Sequence, residues 1–151
     1  MKSADTAGLK GDDVGRLASG IKRHIVVDTQ GLPRAVAVTT AEVTDRQGEL
    51  QAFERCKSSL GQVKSVLCDG GHMGTPFAQA VRETLDEPVG VQIAKRSELH
   101  TFKVIPHRWM VERSFAWLEK NRRLWENCER WLNTSLQFVH IAFLALLLRR
   151  L

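Results

Sequence analysis

Two carboxylates stand out by type and position. Asp69 closes the apolar run in "VKSVLCDGG", and Glu112 lies in "RWMVERSFAWLEKNRRLW", residues 108–125. Read as one helix at about 100° per residue, the second stretch separates into two sides. Met110, Val111, Ser114, Trp117 and Leu118 fall together and are expected to face a core. Arg108, Glu112, Glu119 and Arg123 line up within about 60° of one another on another side, flanked by Trp109, Arg113 and Lys120. One account is a set of helix ion pairs, Arg108 with Glu112 and Glu119 with Arg123, each worth only about 0.2–0.5 kcal/mol. It covers the glutamates but not the surplus of arginine, nor Trp109 among them. A phosphate-handling helix covers both. Divalent metals take hard oxygen donors, and two metals roughly 3.5–4 Å apart need two or three converging carboxylates, with cations beside them to hold a phosphodiester. Asp69 at a strand end and Glu112 on a later helix could converge in this way. By position alone, Asp69 fits an ordinary strand-ending turn as well.

The elements that must position these residues can be read from the same pattern. Residues 1–20 are polar and glycine-rich, "GLKGDDVG" above all, and read as a flexible lead-in. "IKRHIVVDTQGLPRAVAVTT" reads as two β-branched runs around a turn, with glycine where a left-handed residue is wanted and Asp28 as a turn residue. Thr44 and Gln47 form a capping box ahead of a helix whose Leu50, Phe53, Cys56 and Leu60 make an apolar stripe. A short strand ends at Asp69, Pro76 begins a helix through about Leu85, and "VGVQIAK" is a further strand. The long helix starts after Pro106. A last one runs from about Thr134 to Arg150, capped by Asn133–Ser135. Strands that follow helices imply crossovers, hence an α/β fold with a mixed sheet flanked by helices. Chemistry in such sheets gathers at the carboxyl ends of strands, where Asp69 sits.

Composition narrows the partner. The 151 residues carry a formal net charge of +5, and its distribution matters more than its size. Residues 1–100 hold 13 Lys/Arg against 13 Asp/Glu, whereas residues 101–151 hold 9 against 4. The excess therefore lies with the Glu112 helix. That suits a polyanion, nucleic acid first, although a solvated basic surface has the same composition. Cys56, Cys68 and Cys128 are odd in number and show no paired spacing, as in a reducing cytosol. His100 and His107 lack a metal-ligand rhythm. The polar start does not read as a signal peptide. "LQFVHIAFLALLL" is interrupted by Gln137 and His140 and falls short of the roughly 20 apolar residues a membrane span needs, so it is expected as a helix buried in protein.

Three segments, "KRHIVVDTQGLPRAVAVTTAEVTDR", "LCDGGHMG" and "QIAKRSELHTFKVIPHRWMVERSFAWLEKNRRL", resemble the carboxyl-terminal catalytic half of bacterial insertion-sequence transposases of the DDE type. The resemblance covers nearly the whole chain, and its most specific part is the spacing of Arg108 and Glu112. It implies a ribonuclease H-like fold and cutting and joining of DNA ends dependent on Mg²⁺ or Mn²⁺, the metals held by two aspartates and a glutamate. Asp69 matches the second aspartate and Glu112 the glutamate. Arg108 matches the arginine that contacts DNA or orients the glutamate. Lys120 lies one position beyond the usual place of a downstream lysine, and Ile105 stands where a tyrosine is expected.

The first aspartate of such enzymes ends a strand just upstream of the segment that matches "MKSADTAG". Asp5, Asp12 and Asp13 lie in the lead-in and are not expected to replace it. Residues 21–151 are therefore expected to form a partial catalytic domain, truncated at its first strand and inactive alone. The alternative is a non-catalytic DNA-binding or subunit-binding fragment that modulates an intact transposase, and a third reading is a relic without a role. The resemblance also implies double-stranded DNA, both transposon ends and target, as partner. A homo-oligomer or full-length transposase is a further partner, and the location is the bacterial cytoplasm at the nucleoid, without a membrane. Arg113, Arg122 and Arg123 are expected on phosphates rather than bases. Trp117 is read as core, while Trp109 and Trp125 fit either stacking on an unpaired base or ordinary packing.

Overall fold

A computed structural model describes residues 8, 11–13, 18–69, 75–86, 88–94 and 108–149, with only the backbone of Asp13, Ala18, Asp69, Thr75, Ile93, Ala94 and Arg108. Asp5, His100, Ile105 and His107 lie outside the described residues. Strand β2 (Ala18–Val27) pairs antiparallel with β3 (Pro33–Thr40) from Ile21 opposite Thr40 to Val26 opposite Ala35. The short β1 (Gly11–Asp13) pairs with β2 on its other side. Alternation buries β3 on both faces: Ala35 and Ala37 enter one hydrophobic cluster, Val36 and Val38 another.

The first cluster joins β3 to Ala52 and Phe53 of α1 (Asp45–Arg55), to Val66 and Cys68 of β4 (Ser65–Asp69), and to Phe77, Val81 and Leu85 of α2 (Thr75–Leu85). The second joins β2 and β3 to Leu118 of α3 (Arg108–Glu119), Leu124 of a 3₁₀ turn (Arg122–Leu124), and Leu136, Val139 and Phe143 of α4 (Leu132–Leu148). Helices thus cover both faces of the β-structure, and the protein is α/β. Strand β4 pairs parallel with β5 (Gly90–Ala94), placing Asp69 opposite Ala94, with α2 in the crossover between them. Where one mixed sheet was expected, the described strands form two: β1–β2–β3 antiparallel and β4–β5 parallel. Among the described residues no strand ladders β2 to β4, so the two sheets share a core rather than hydrogen bonds.

Local signals set the frame. The capping box forms, the Gln47 N–H donating to Thr44 Oγ1 at 3.3 Å and the Thr44 N–H to Gln47 Oε1 at 3.4 Å. Gly31 turns the β2–β3 hairpin at φ +76°, a conformation side chains resist. Gly48 is required by close approach: a Cβ there would fall 2.1 Å from Nε2 of buried His24, whose ring is held by Thr39 Oγ1 at 2.9 Å.

Asp28 organises the hairpin turn, accepting the N–H groups of Gln30 at 2.8 Å and Leu32 at 3.0 Å, and pairing with Arg34 at 2.8 Å. Burial raises its carboxyl pKa, but the bonds from Leu32, Gln30 and Arg34 outweigh burial and leave it below the ordinary value. A folded pKa below the unfolded one adds stability that is fully present above the unfolded carboxyl's value, near 3.9, and is lost as pH falls through the folded value. Asp28→Asn should therefore lose less stability than the parent between pH 7 and pH 3, read as the shift in urea midpoint. An equal shift in both proteins would contradict this role.

Several expectations are corrected. Residues 11–13 and 18–20, within the stretch read as a flexible lead-in, pair as strands, with Asp13 closing β1 opposite Ala18. The stretch 108–125 is not one helix. It ends at Glu119, where Asn121 Nδ2 donates to the carbonyls of Trp117 at 3.1 Å and Leu118 at 3.3 Å, and the tighter turn that follows swings Leu124 into the core. Helix α4 starts at Leu132 behind Trp131, whose indole has no acceptor to offer as a cap, so Asn133–Ser135 lie inside the helix, where Ser135 Oγ donates to Asn127 Oδ1. Nor is α4 buried all round. Ser135, Leu136, Val139 and Phe143 face inward, whereas Ile141, Leu144 and Leu148 lie exposed. Among the described residues no helix is long and apolar enough to cross a membrane.

Candidate functional site

Helix α3 separates its faces as its periodicity requires. Met110, Ser114 and Leu118 are buried at i, i+4 and i+8, and Ser114 Oγ donates to the carbonyls of Met110 at 3.1 Å and Gly31 at 3.2 Å, fastening the helix to the β2–β3 turn. Val111 and Trp117, also expected inward, are half-buried. Glu112 and Glu119 are exposed, and Arg113 is half-buried between them in sequence. The guanidinium of Arg113 lies over the ring of Trp109 at 4.2 Å and over that of Trp117 at 5.4 Å. Trp109 keeps 47% of its surface exposed.

Asp69 is the last residue of β4, next to buried Cys68, which lies in the core between the sheets and helices α1 and α2. Burial first, and then Glu49, pushes the Cys68 thiol up to about 12. Buried and raised in this way, it is a neutral packing group at physiological pH. The backbone places Asp69 at a strand's carboxyl end and Arg108 at the start of α3, and the exposed Glu112 lies in the same helix. These are the positions expected of them. Among the described residues no three His, Cys, Asp or Glu side chains stand together as a ready metal cage. Asp69 and Glu112 are hard oxygen donors of the kind a small divalent cation takes, one or two at a time, with water and substrate phosphate completing the shell.

The other cations separate into engaged and unengaged. Arg123 does not pair with Glu119: it grips Glu129 through Nη2 at 2.7 Å and Nε at 3.0 Å, and lies over Phe138 at 5.1 Å. Its departure from the helical path explains the change of partner. Lys120 and Arg122 are exposed, at the end of α3 and on the 3₁₀ turn. Trp125 is exposed too, its Nε1 donating to the Glu119 carbonyl.

Arg23 was not singled out by the sequence. It projects from β2 on the side of Ile21 and Ile25, donates from Nη2 to the Leu124 carbonyl at 3.0 Å, and keeps Nε buried without an acceptor among the described residues. Burial pushes its pKa down to about 10, which leaves it charged at neutral pH. It ties the central hairpin to the turn that carries Arg122 and Arg123. The strand alternation that sets an arginine between two buried isoleucines was the available signal.

Residues 2–148 match the family model described as the transposase DDE domain. A Burkholderia cepacia protein assigned as transposase for insertion sequence element IS402 is 34% identical over 138 residues, 87% of this chain. The chain spans 62% of that relative's length. No solved structure is significantly similar to the chain.

Proposed function

Since the chain belongs to the transposase DDE domain family, we propose that it is part of the ribonuclease H-like catalytic domain of a bacterial insertion-sequence transposase, acting on double-stranded DNA at the nucleoid. In this reading residues 21–151 form the body of that domain, and residues 1–20 lead into it through the pairing of β1 with the start of β2. Asp69 and Glu112 are two of its three catalytic carboxylates and would hold Mg²⁺ or Mn²⁺. The metal, when bound, supplies Lewis-acid activation of the phosphodiester. Arg108, Trp109, Arg113, Lys120, Arg122 and Arg123 form the DNA-facing set. They hold the backbone in register and supply affinity without base choice.

The observation that carries the proposal is Glu112 exposed among cations and tryptophans, on a helix whose opposite face is locked into the core by Met110, Ser114 and Leu118. A helix whose charges served only its own stability would have no use for Trp109 and Arg113 on that outer side. The third carboxylate is read as coming from beyond these residues. Support comes from the relative, of whose length the chain spans 62%. The chain alone then binds DNA, as itself or within the assembly of an intact transposase, without cutting it.

The test is titration of labelled duplex DNA with the chain across a series of salt concentrations. Affinity should fall steeply with salt and survive both Asp69→Asn and Glu112→Gln, with no nick in Mg²⁺. Failure to bind duplex even at low salt would sink the reading.

A further inference from the structure

Among the described residues, one cation of this surface is both oriented and unengaged. Trp109, Arg113 and Trp117 follow at i, i+4 and i+8, so their side chains rise one above another along α3. The Arg113 guanidinium is stacked at 4.2 Å on one indole and 5.4 Å from the other. Among the described residues these rings are its partners: no carboxylate pairs with it and its N–H groups make no hydrogen bond. Glu112 precedes it in sequence, but consecutive helical residues do not face each other. Arg123 differs, its donors being taken by Glu129. Lys120 and Arg122 differ in the other sense, exposed with no ring to hold them.

We infer that Arg113 is the preset phosphate ligand of this surface, its guanidinium plane held by Trp109 and Trp117 and its N–H edge left to a DNA backbone phosphate. The inference rests on the transposase reading above and deepens it. A guanidinium carries its donors in its plane, so rings against its faces fix direction without consuming donors. Two oxygens of one phosphate then accept side by side. Because the side chain is ordered before DNA arrives, little rotamer freedom remains to be lost on binding. A lysine would keep the charge but lose both the stack and the fork.

The experiment measures duplex affinity of the 151-residue chain against salt for the parent and four variants. Arg113→Ala should reduce the slope of log K on log salt by about 1 and lower affinity about tenfold. Arg113→Lys should keep most of the slope yet bind several-fold more weakly. Trp109→Ala, which leaves every charge in place, should do the same. Arg123→Ala, giving up a cation already held by Glu129, should move the slope less than Arg113→Ala. The inference is overturned if Arg113→Ala leaves the slope of a DNA-binding parent unchanged, if Arg123→Ala moves it as much, or if Trp109→Ala binds like the parent. A parent chain that binds no DNA at any salt would overturn the reading beneath as well, which separates the two failures.

Discussion

Glu112→Gln is expected to lower metal-dependent DNA cleavage roughly a thousandfold in a transposase completed around this chain, while DNA binding persists. The substitution keeps the shape of the side chain and removes one anionic oxygen donor. Lewis-acid stabilisation of a phosphoryl transition state is worth several kcal/mol, and each 1.36 kcal/mol is about a factor of ten in rate. Binding should hold, because the change removes a negative charge from a face that meets a polyanion. Single-turnover cleavage in Mg²⁺ checks it, alongside a binding titration without metal. Cleavage within a few-fold of the parent would show that Glu112 is a surface residue of an ion-pair helix.

The largest effect on stability is expected from Leu118→Ala. Leu118 is 1% exposed and sits where α3 meets Ile21, Ile25, Val36, Val38, Leu124 and the inner face of α4. Truncating a buried leucine costs about 2–5 kcal/mol, the transfer of its methyl groups plus the cavity left behind. For a chain of this size each kcal/mol lowers Tm by about 2–4 °C, so the midpoint should fall by roughly 4–20 °C. Urea unfolding should show a lower midpoint at unchanged slope. A change under about 0.5 kcal/mol would mean that α3 is not docked as described, and with it Glu112 would lose its fixed position.

The parts of the fold that were legible depend on neighbours in sequence. Thr44 and Gln47 are three residues apart, Gly31 and Asp28 share one turn, and the inward row of α3 recurs with the helical period. The strand that ends at Asp69 and the crossover to β5 followed from short apolar runs and a proline-started helix. The end of α3 was not legible, because the apolar and charged rows continue in phase through Arg123. What stops the helix is the Asn121 side chain competing for its last carbonyls, together with the burial of Leu124. Strand β1 was missed because Gly11, Asp12 and Asp13 are poor strand formers, and pairing with β2 overrides their preference. In the site, the types and helical placement of Asp69, Glu112, Trp109 and Arg113 were readable. Which cations stay unengaged was not. Arg123 finds Glu129 only after the chain leaves the helix, and Arg23 finds a carbonyl 101 positions away in sequence.

If Asp69 and Glu112 serve one metal beside bound DNA, metal-centred radical cleavage should report both residues at once. Fe²⁺ replaces Mg²⁺ in the chain–DNA complex, ascorbate and peroxide generate hydroxyl radicals at the bound ion, and the cut sites in the protein are mapped. Cuts are expected near residue 69 and near residue 112 together, suppressed by excess Mg²⁺ and lost in both Asp69→Asn and Glu112→Gln. Cuts at only one of these places, or cuts that persist in either variant, would contradict a shared metal.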